Sequence, residues 1–236
     1  MRMIVGAAAT VVGGAVAVGL AGGALSKESV TPNPAGNTPL VATVNGTVNT
    51  PAGNLPHAFL NLTTWPDSMS GVHGASGGTQ PDWVTYGPTT NLSVPANSVV
   101  TVTVKQYDGG EEITNPYFAK VHGTVGGFET VDGKRVTEVD PKHVGHTFTI
   151  HMFPQSGQDQ LFVSAPLPAV PDDAPALDNG YPAPRVVTFS FITKGPGRYV
   201  WQCEFPCGDG YYAKFGGPMG AQGYMAGTLT VTPTAS

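Results

Sequence analysis

Short runs of alternating apolar and polar residues recur along this 236-residue chain. In Val99–Val104, valines fall on one face of an extended backbone and the threonines between them on the other. A period of two residues is that of a β-strand with one buried face, and β-branched side chains favour strands. Similar patterns predict further strands at Leu40–Val48, Ala58–Leu62, His146–His151, Val187–Phe191, Arg198–Cys203 and Thr228–Val231.

Stretches rich in turn-forming residues separate these runs. The longest are 67–87, 109–142 and 154–184, and we expect each to be an extended loop. The chain has 32 glycines and 22 prolines, about twice the usual share, so long helices are not expected. About seven or eight short strands joined by turns predict an all-β protein, a Greek-key β-sandwich that covers residues 40–236.

The first 39 residues differ from the rest in composition. Ile4–Leu25 is apolar or small apart from one threonine, and a helix of this length would match the hydrocarbon core of a bilayer. We interpret 1–25 as a cleaved signal peptide or an uncleaved membrane anchor, with a buried helix of a cytosolic protein as a third possibility. The composition of residues 26–39 predicts a linker. A signal peptide or an anchor would each place the rest of the chain outside the cytoplasm, in the periplasm or at the cell surface.

Charge and composition exclude several classes of function. Only 11% of the residues are charged, and the formal net charge is −5, which argues against nucleic acid as a partner. Two cysteines are too few for a disulfide-dense mini-protein. No Ser–His–Asp arrangement, phosphate-binding glycine loop or pair of catalytic carboxylates stands out. This favours a protein that is not an independent enzyme.

The segment Gly197–Gly208 holds both cysteines in the run Gly-Arg-Tyr-Val-Trp-Gln-Cys-Glu-Phe-Pro-Cys-Gly. It resembles the copper loop of the cupredoxin superfamily, most closely that of the copper-binding domain of cytochrome c oxidase subunit II, which carries Gln-Cys-x-x-x-Cys-Gly. Leu92–Asn97 resembles the Val-Pro-Ala turn of that family, and His146–Phe148 resembles its His-x-Phe motif. The resemblance covers residues 90–232 and implies a cupredoxin-like sandwich with copper as its cofactor.

The resemblance also implies a set of copper ligands. Separately, the strand pattern supports the histidine of this set, because His146 shares parity with Phe148 and Ile150 and therefore faces the core. His151 has the opposite parity and is expected to face outward. The implied ligands are the side chains of His146, Cys203, Cys207, Met219 and Met225 and the backbone carbonyl of Phe205.

The chain departs from the family at the second histidine ligand. Where the family has this histidine, the chain has Tyr211, and where the family has its methionine, the chain has Lys214. A phenol with a pKa near 10 is a poor ligand for copper. A longer loop could bring one of the later methionines to the site. Another histidine could also fold over it, and the candidates are His122, His143 and His151.

Three functions are consistent with these residues. The first is an exported copper protein that transfers single electrons to a redox partner of a respiratory chain, as the resemblance implies. The second is a copper-free structural or binding module with a Cys203–Cys207 disulfide, since two cysteines of an exported protein usually oxidise. The third is storage or delivery of Cu(I), which thiolate and thioether ligands favour. The sequence leaves the oligomeric state open.

Overall fold

The computed structural model describes residues 38–66, 83–110, 114–154, 157–178, 181–208 and 216–233. The predicted signal peptide or anchor, 1–25, lies outside them, as does nearly all of the predicted linker. Within the described residues, no helix is both long and apolar enough to cross a membrane.

Two mixed β-sheets form the fold. In both, most neighbouring strands run antiparallel, while β1–β5, β5–β13 and β3–β6 run parallel. The predicted fold class, an all-β Greek-key sandwich, is confirmed. The first sheet contains, in spatial order, β1 (Leu40–Val41), β5 (Asn91–Pro95), β13 (Ala226–Thr232), β12 (Gly197–Gln202), β9 (Val144–Met152) and β10 (Val163–Pro168). The second contains β2 (Thr43–Thr50), β3 (Gly53–Trp65), β6 (Val99–Gln106), β11 (Arg185–Ile192), β7 (Glu129–Val131) and β8 (Lys134–Val136), with β4 (Thr85–Gly87) paired to β3.

The core lies between the inward faces of the two sheets. Val102 of β6 is fully buried, as the alternation predicts. Phe148 of β9 packs against Phe189 of the opposite sheet, with 5.3 Å between ring centroids, and against Trp201 of β12 at 4.7 Å. Burying one such side chain contributes about 1.5–3 kcal/mol. This packing holds β9 and β12 side by side beneath the candidate site.

The expectation of a loop over 154–184 is wrong in its middle part, which forms strand β10. All its residues are buried, and it lies at the edge of the first sheet. The sequence did not predict this strand because it contains Pro166 and Pro168, and proline argues against a central strand. An edge strand tolerates proline, since one side of its backbone has no strand to donate to.

The other two predicted loops also contain short elements. The segment 109–142 holds the hairpin β7–β8 and a 3-10 turn at Val125–Gly127, and 67–87 ends in strand β4. Three-residue strands are too short to show a period, so the sequence did not predict them. Among the described residues, a short helix, α1 (Gly217–Gly220), follows the cysteine loop.

Candidate metal centre

His146 and Cys203 meet at one end of the first sheet. His146 lies near the start of β9 and is fully buried, as its parity predicts. Cys203 directly follows β12, which pairs with β9 through Gln202 and Thr149. The distance from His146 Nδ1 to Cys203 Sγ is 3.7 Å. Strand pairing therefore brings together two residues that are far apart in the chain.

Cys207 completes a cluster of three metal-binding side chains. The ligand atoms of His146, Cys203 and Cys207 all lie within 4.8 Å of one another, and the three side chains are buried. Both cysteines are free thiols. One imidazole and two thiolates form a donor set that copper binds well, so the residues fit the predicted cofactor.

The backbone around Cys203 fixes the position of its sulfur. The N–H of Thr147 donates to Cys203 Sγ at 3.5 Å. Cys203 Sγ lies 3.3 Å from the carbonyl oxygen of Phe205, so this carbonyl lies at the cluster. The N–H of Cys203 donates to the carbonyl oxygen of Met225 at 2.8 Å. The segment that enters β13 is thereby joined to the cysteine loop.

A carboxylate occupies the other side of the histidine. Oδ2 of Asp108, just after β6, lies 2.7 Å from His146 Nε2. The same oxygen accepts the N–H of Gly110 at 2.9 Å, and the side-chain amide of Gln106 donates to the Asp108 carbonyl at 3.2 Å. Sequence reasoning missed Asp108, and the only signal for it is the Asp-Gly-Gly turn at the end of a strand.

Charge is distributed unequally within the cluster. Burial lowers the pKa of His146, but its contacts with Asp108 and Cys203 outweigh burial and raise that pKa to about 10. Burial raises the pKa of Cys203, yet hydrogen bonds with Cys207 and His146 bring it well below its usual value. The hydrogen bond with Cys203, together with burial, raises the pKa of Cys207. Cys203 is therefore the more readily ionised of the two cysteines, and the thiolate is the form that binds metal.

Tyr86 is a second neighbour of the cluster that the sequence did not reveal. It is fully buried, and its hydroxyl donates to the carbonyl oxygen of Thr147 at 2.8 Å. Burial raises its pKa well above 10, and the nearby cysteines add to this effect. Tyr86 therefore stays protonated and holds the carbonyl of Thr147, the residue that follows His146.

The remaining histidine candidates do not reach the cluster. His143 is exposed and paired with Asp140, with 3.0 Å between Nδ1 and Oδ2. His151 faces away from the core, as predicted, and His122 lies 3.0 Å from a backbone carbonyl oxygen. Among the described residues, His146 is the single histidine of the cluster. The expectation that one of these three folds over the site is therefore not met.

The two predicted thioether ligands follow a segment, 209–215, that lies outside the described residues and includes Tyr211 and Lys214. Met225 is fully buried, and Met219 on α1 packs partly buried against the core. Their coordination of a metal stays a prediction.

Comparison with known proteins finds solved structures with a similar fold. The sequence matches no protein-family model and no curated protein. A structure of auracyanin B is 17% identical over 81% of this chain and 98% of its own length, with a TM-score of 0.34. A structure of the copper protein rusticyanin is 13% identical over 75% of this chain and 78% of its own length, with a TM-score of 0.32. A copper-containing nitrite reductase from Thermus scotoductus is 14% identical over 82% of this chain and 28% of its own, with a TM-score of 0.30.

These TM-scores are low. The fold is therefore defined by the strand pairing within this chain, and the site by the distances between its residues. Similarity to cytochrome c oxidase subunit II, which the copper-loop motif predicts, stays a prediction.

Proposed function

We propose that this protein is an exported, cupredoxin-like copper protein that carries single electrons within a respiratory chain. The observation that carries the proposal is the buried cluster of His146, Cys203 and Cys207, whose ligand atoms lie within 4.8 Å of one another. Bound copper would supply the one-electron redox couple. A protein partner donates and receives the electron, so the chain acts as a carrier and not as an independent enzyme. If residues 4–25 are not cleaved, they tether the carrier to the membrane.

The role of the chain is to hold the ligands in place before the metal binds. His146 lies on one strand and Cys203 directly after its neighbour, so strand pairing restricts both. All three ligand side chains are buried, which excludes water from the metal. A ligand set held rigidly by its surroundings rearranges little when the metal changes charge, and this favours electron transfer.

The remaining coordination positions belong, in this proposal, to the Phe205 carbonyl and to Met219 or Met225. The carbonyl oxygen of Phe205 already lies 3.3 Å from Cys203 Sγ. A methionine thioether would supply a weak sulfur ligand to copper. With one imidazole and two sulfurs, the donor set is softer than that of the family.

Two other functions use the same residues. The soft donor set favours storage or delivery of Cu(I). The closeness of the two free thiols favours a copper-free module in which Cys203 and Cys207 form a disulfide. Only the electron carrier requires bound copper to cycle reversibly between its two oxidation states.

Copper stoichiometry of the full-length chain and matched variants tests the location of the centre. After anaerobic loading and dialysis, we expect Cys203→Ser and Cys207→Ser to retain no copper and His146→Ala to bind it much more weakly. His151→Ala is the control, because His151 lies on the same strand but faces outward. Equal copper in the wild type and in all three site variants would contradict the proposal. Lower melting temperatures of the cysteine variants, with no metal in the wild type, would support the copper-free module.

A further inference from the structure

Asp108 has the geometry of a residue that acts on the metal through His146. We propose that Asp108 is a positioning residue: it holds Nε2 of His146 and thereby presents Nδ1 to the metal beside Cys203. This inference rests on the proposed function of the cluster as a metal centre. It adds a functional residue from the segment before the long insertion, outside the three motifs of the copper-loop resemblance.

Asp108 is held through both its carboxylate and its backbone carbonyl oxygen. Oδ2 faces His146 Nε2 at 2.7 Å and accepts the N–H of Gly110 at 2.9 Å. The carbonyl oxygen of Asp108 accepts the N–H of Val170 at 3.0 Å and a side-chain N–H of Gln106 at 3.2 Å. These contacts fix the backbone of Asp108 and one carboxylate oxygen, so the side chain is held towards the histidine.

The glycine after the turn brings the Asp108 loop close to the histidine strand. Gly110 has a φ of +69°, and a Cβ there would lie 2.3 Å from the Cα of Gly145. Gly145 directly precedes His146 and is also crowded, since its own Cβ would lie 2.9 Å from Nε2 of Gln106. The two backbones therefore touch at glycines, which lets the short aspartate side chain reach the imidazole.

The effect on a metal follows from the chemistry of ligated imidazoles. A carboxylate that accepts the N–H of one ring nitrogen fixes the tautomer, so the other nitrogen is free to ligate, and it makes that nitrogen more basic. An added negative charge beside the site also favours the more highly charged state of the metal. These effects matter here because the described cluster contains a single histidine.

The surface of the protein offers a matched control. Asp140 and His143 form another aspartate–histidine pair at 3.0 Å, with both side chains more than half exposed. Neither belongs to the cluster. Asp140→Asn therefore repeats the chemical change of Asp108→Asn at a place where we expect no effect on the metal.

The experiment compares the full-length wild type with Asp108→Asn, Asp108→Glu and Asp140→Asn. Cu(I) affinity is measured by competition with a chromophoric chelator, and the melting temperature of the metal-free chain reports folding. We expect Asp108→Asn to weaken binding by about 10- to 100-fold, while Asp108→Glu recovers part of the loss and Asp140→Asn matches the wild type. The reduction potential of copper-loaded Asp108→Asn should lie above that of the wild type, because a negative charge has been removed.

A readout that needs no metal accompanies these measurements. In the metal-free wild type, the Nε2–H of His146 should give a proton resonance protected from exchange by its hydrogen bond to Asp108. In Asp108→Ala the resonance should be lost to exchange. Equal copper affinity and reduction potential in folded Asp108→Asn and the wild type would overturn the inference and leave the proposed function standing. A wild-type chain that binds no copper would overturn both.

Discussion

The backbone N–H of Thr147 donates to Cys203 Sγ at 3.5 Å, across two neighbouring strands of the first sheet. The Thr147 hydroxyl also accepts the N–H of Glu204 at 2.8 Å, and its carbonyl accepts the hydroxyl of Tyr86 at 2.8 Å. The residue after the histidine ligand is thus bonded to the cysteine loop and to the buried tyrosine. Thr147 therefore connects β9, the strand that carries His146, to the cysteine loop.

Replacing the hydroxyl of Thr147 tests this connection. In Thr147→Val the N–H of Glu204 loses its acceptor in a partly buried place, which costs about 1–3 kcal/mol. We expect the free energy of unfolding in urea to fall by this amount in the metal-free chain. Thr147→Ser keeps the hydroxyl and is the control. If both variants lose the same stability, the effect comes from packing and not from the hydrogen bond.

Gly110 provides a test of the close approach between the Asp108 loop and β9. A Cβ at Gly110 would collide with the backbone of Gly145, whereas a Cβ at Gly133, which also has a positive φ of +78°, meets nothing within 4 Å. We expect Gly133→Ala to cost about 1 kcal/mol, from backbone strain alone. Gly110→Ala should cost more and should weaken copper binding, because the loop must move away from His146.

Chemical unfolding and copper competition measure the two effects separately. Equal stability and equal copper affinity in Gly110→Ala and Gly133→Ala would show that the approach at Gly145 is not required.

The buried carboxyl group of Glu129 is expected to make the stability of the protein depend on pH. Its carboxyl group is fully buried on β7, and neither oxygen has a hydrogen-bond partner among the described residues. Burial raises its pKa from 4.5 to about 9. Between these two values the folded state binds one more proton than the unfolded state, so stability falls as the pH rises, by up to about 1.4 kcal/mol per pH unit.

Denaturation at pH 5 and pH 8 measures this slope. Glu129→Gln removes the titration, so we expect its stability to change less between these pH values and to exceed that of the wild type at pH 8. The exposed Glu138, changed to Gln, is the control and should leave the slope unchanged. A Glu129→Gln variant with the wild-type slope would show that Glu129 ionises normally in the folded state.

The sequence predicted the parts of the site that depend on strand period and on local motifs. The parity of His146 placed it on the inward face of its strand, and the structure confirms this. The copper-loop motif named Cys203 and Cys207, which lie beside that histidine. The sequence could single out these three residues because a period of two and a short motif are local properties of the chain.

The parts that the sequence did not reveal depend on contacts between distant segments. Asp108 reaches His146 only because two glycines let their backbones meet. Tyr86 joins the cluster through strand β4, which is too short to show alternation. Strand β10 was not predicted because it contains two prolines. These are tolerated because the strand lies at a sheet edge.

The central claim is that Cys203 and Cys207 hold redox-active copper together with His146. The most direct measurement is the visible and EPR spectrum of the full-length chain titrated anaerobically with Cu(II), with the free thiols counted before and after. The account predicts an intense thiolate-to-copper absorption band, loss of both free thiols on loading, and reversible bleaching on one-electron reduction. A chain that takes up no copper and has a Cys203–Cys207 disulfide before treatment would contradict it.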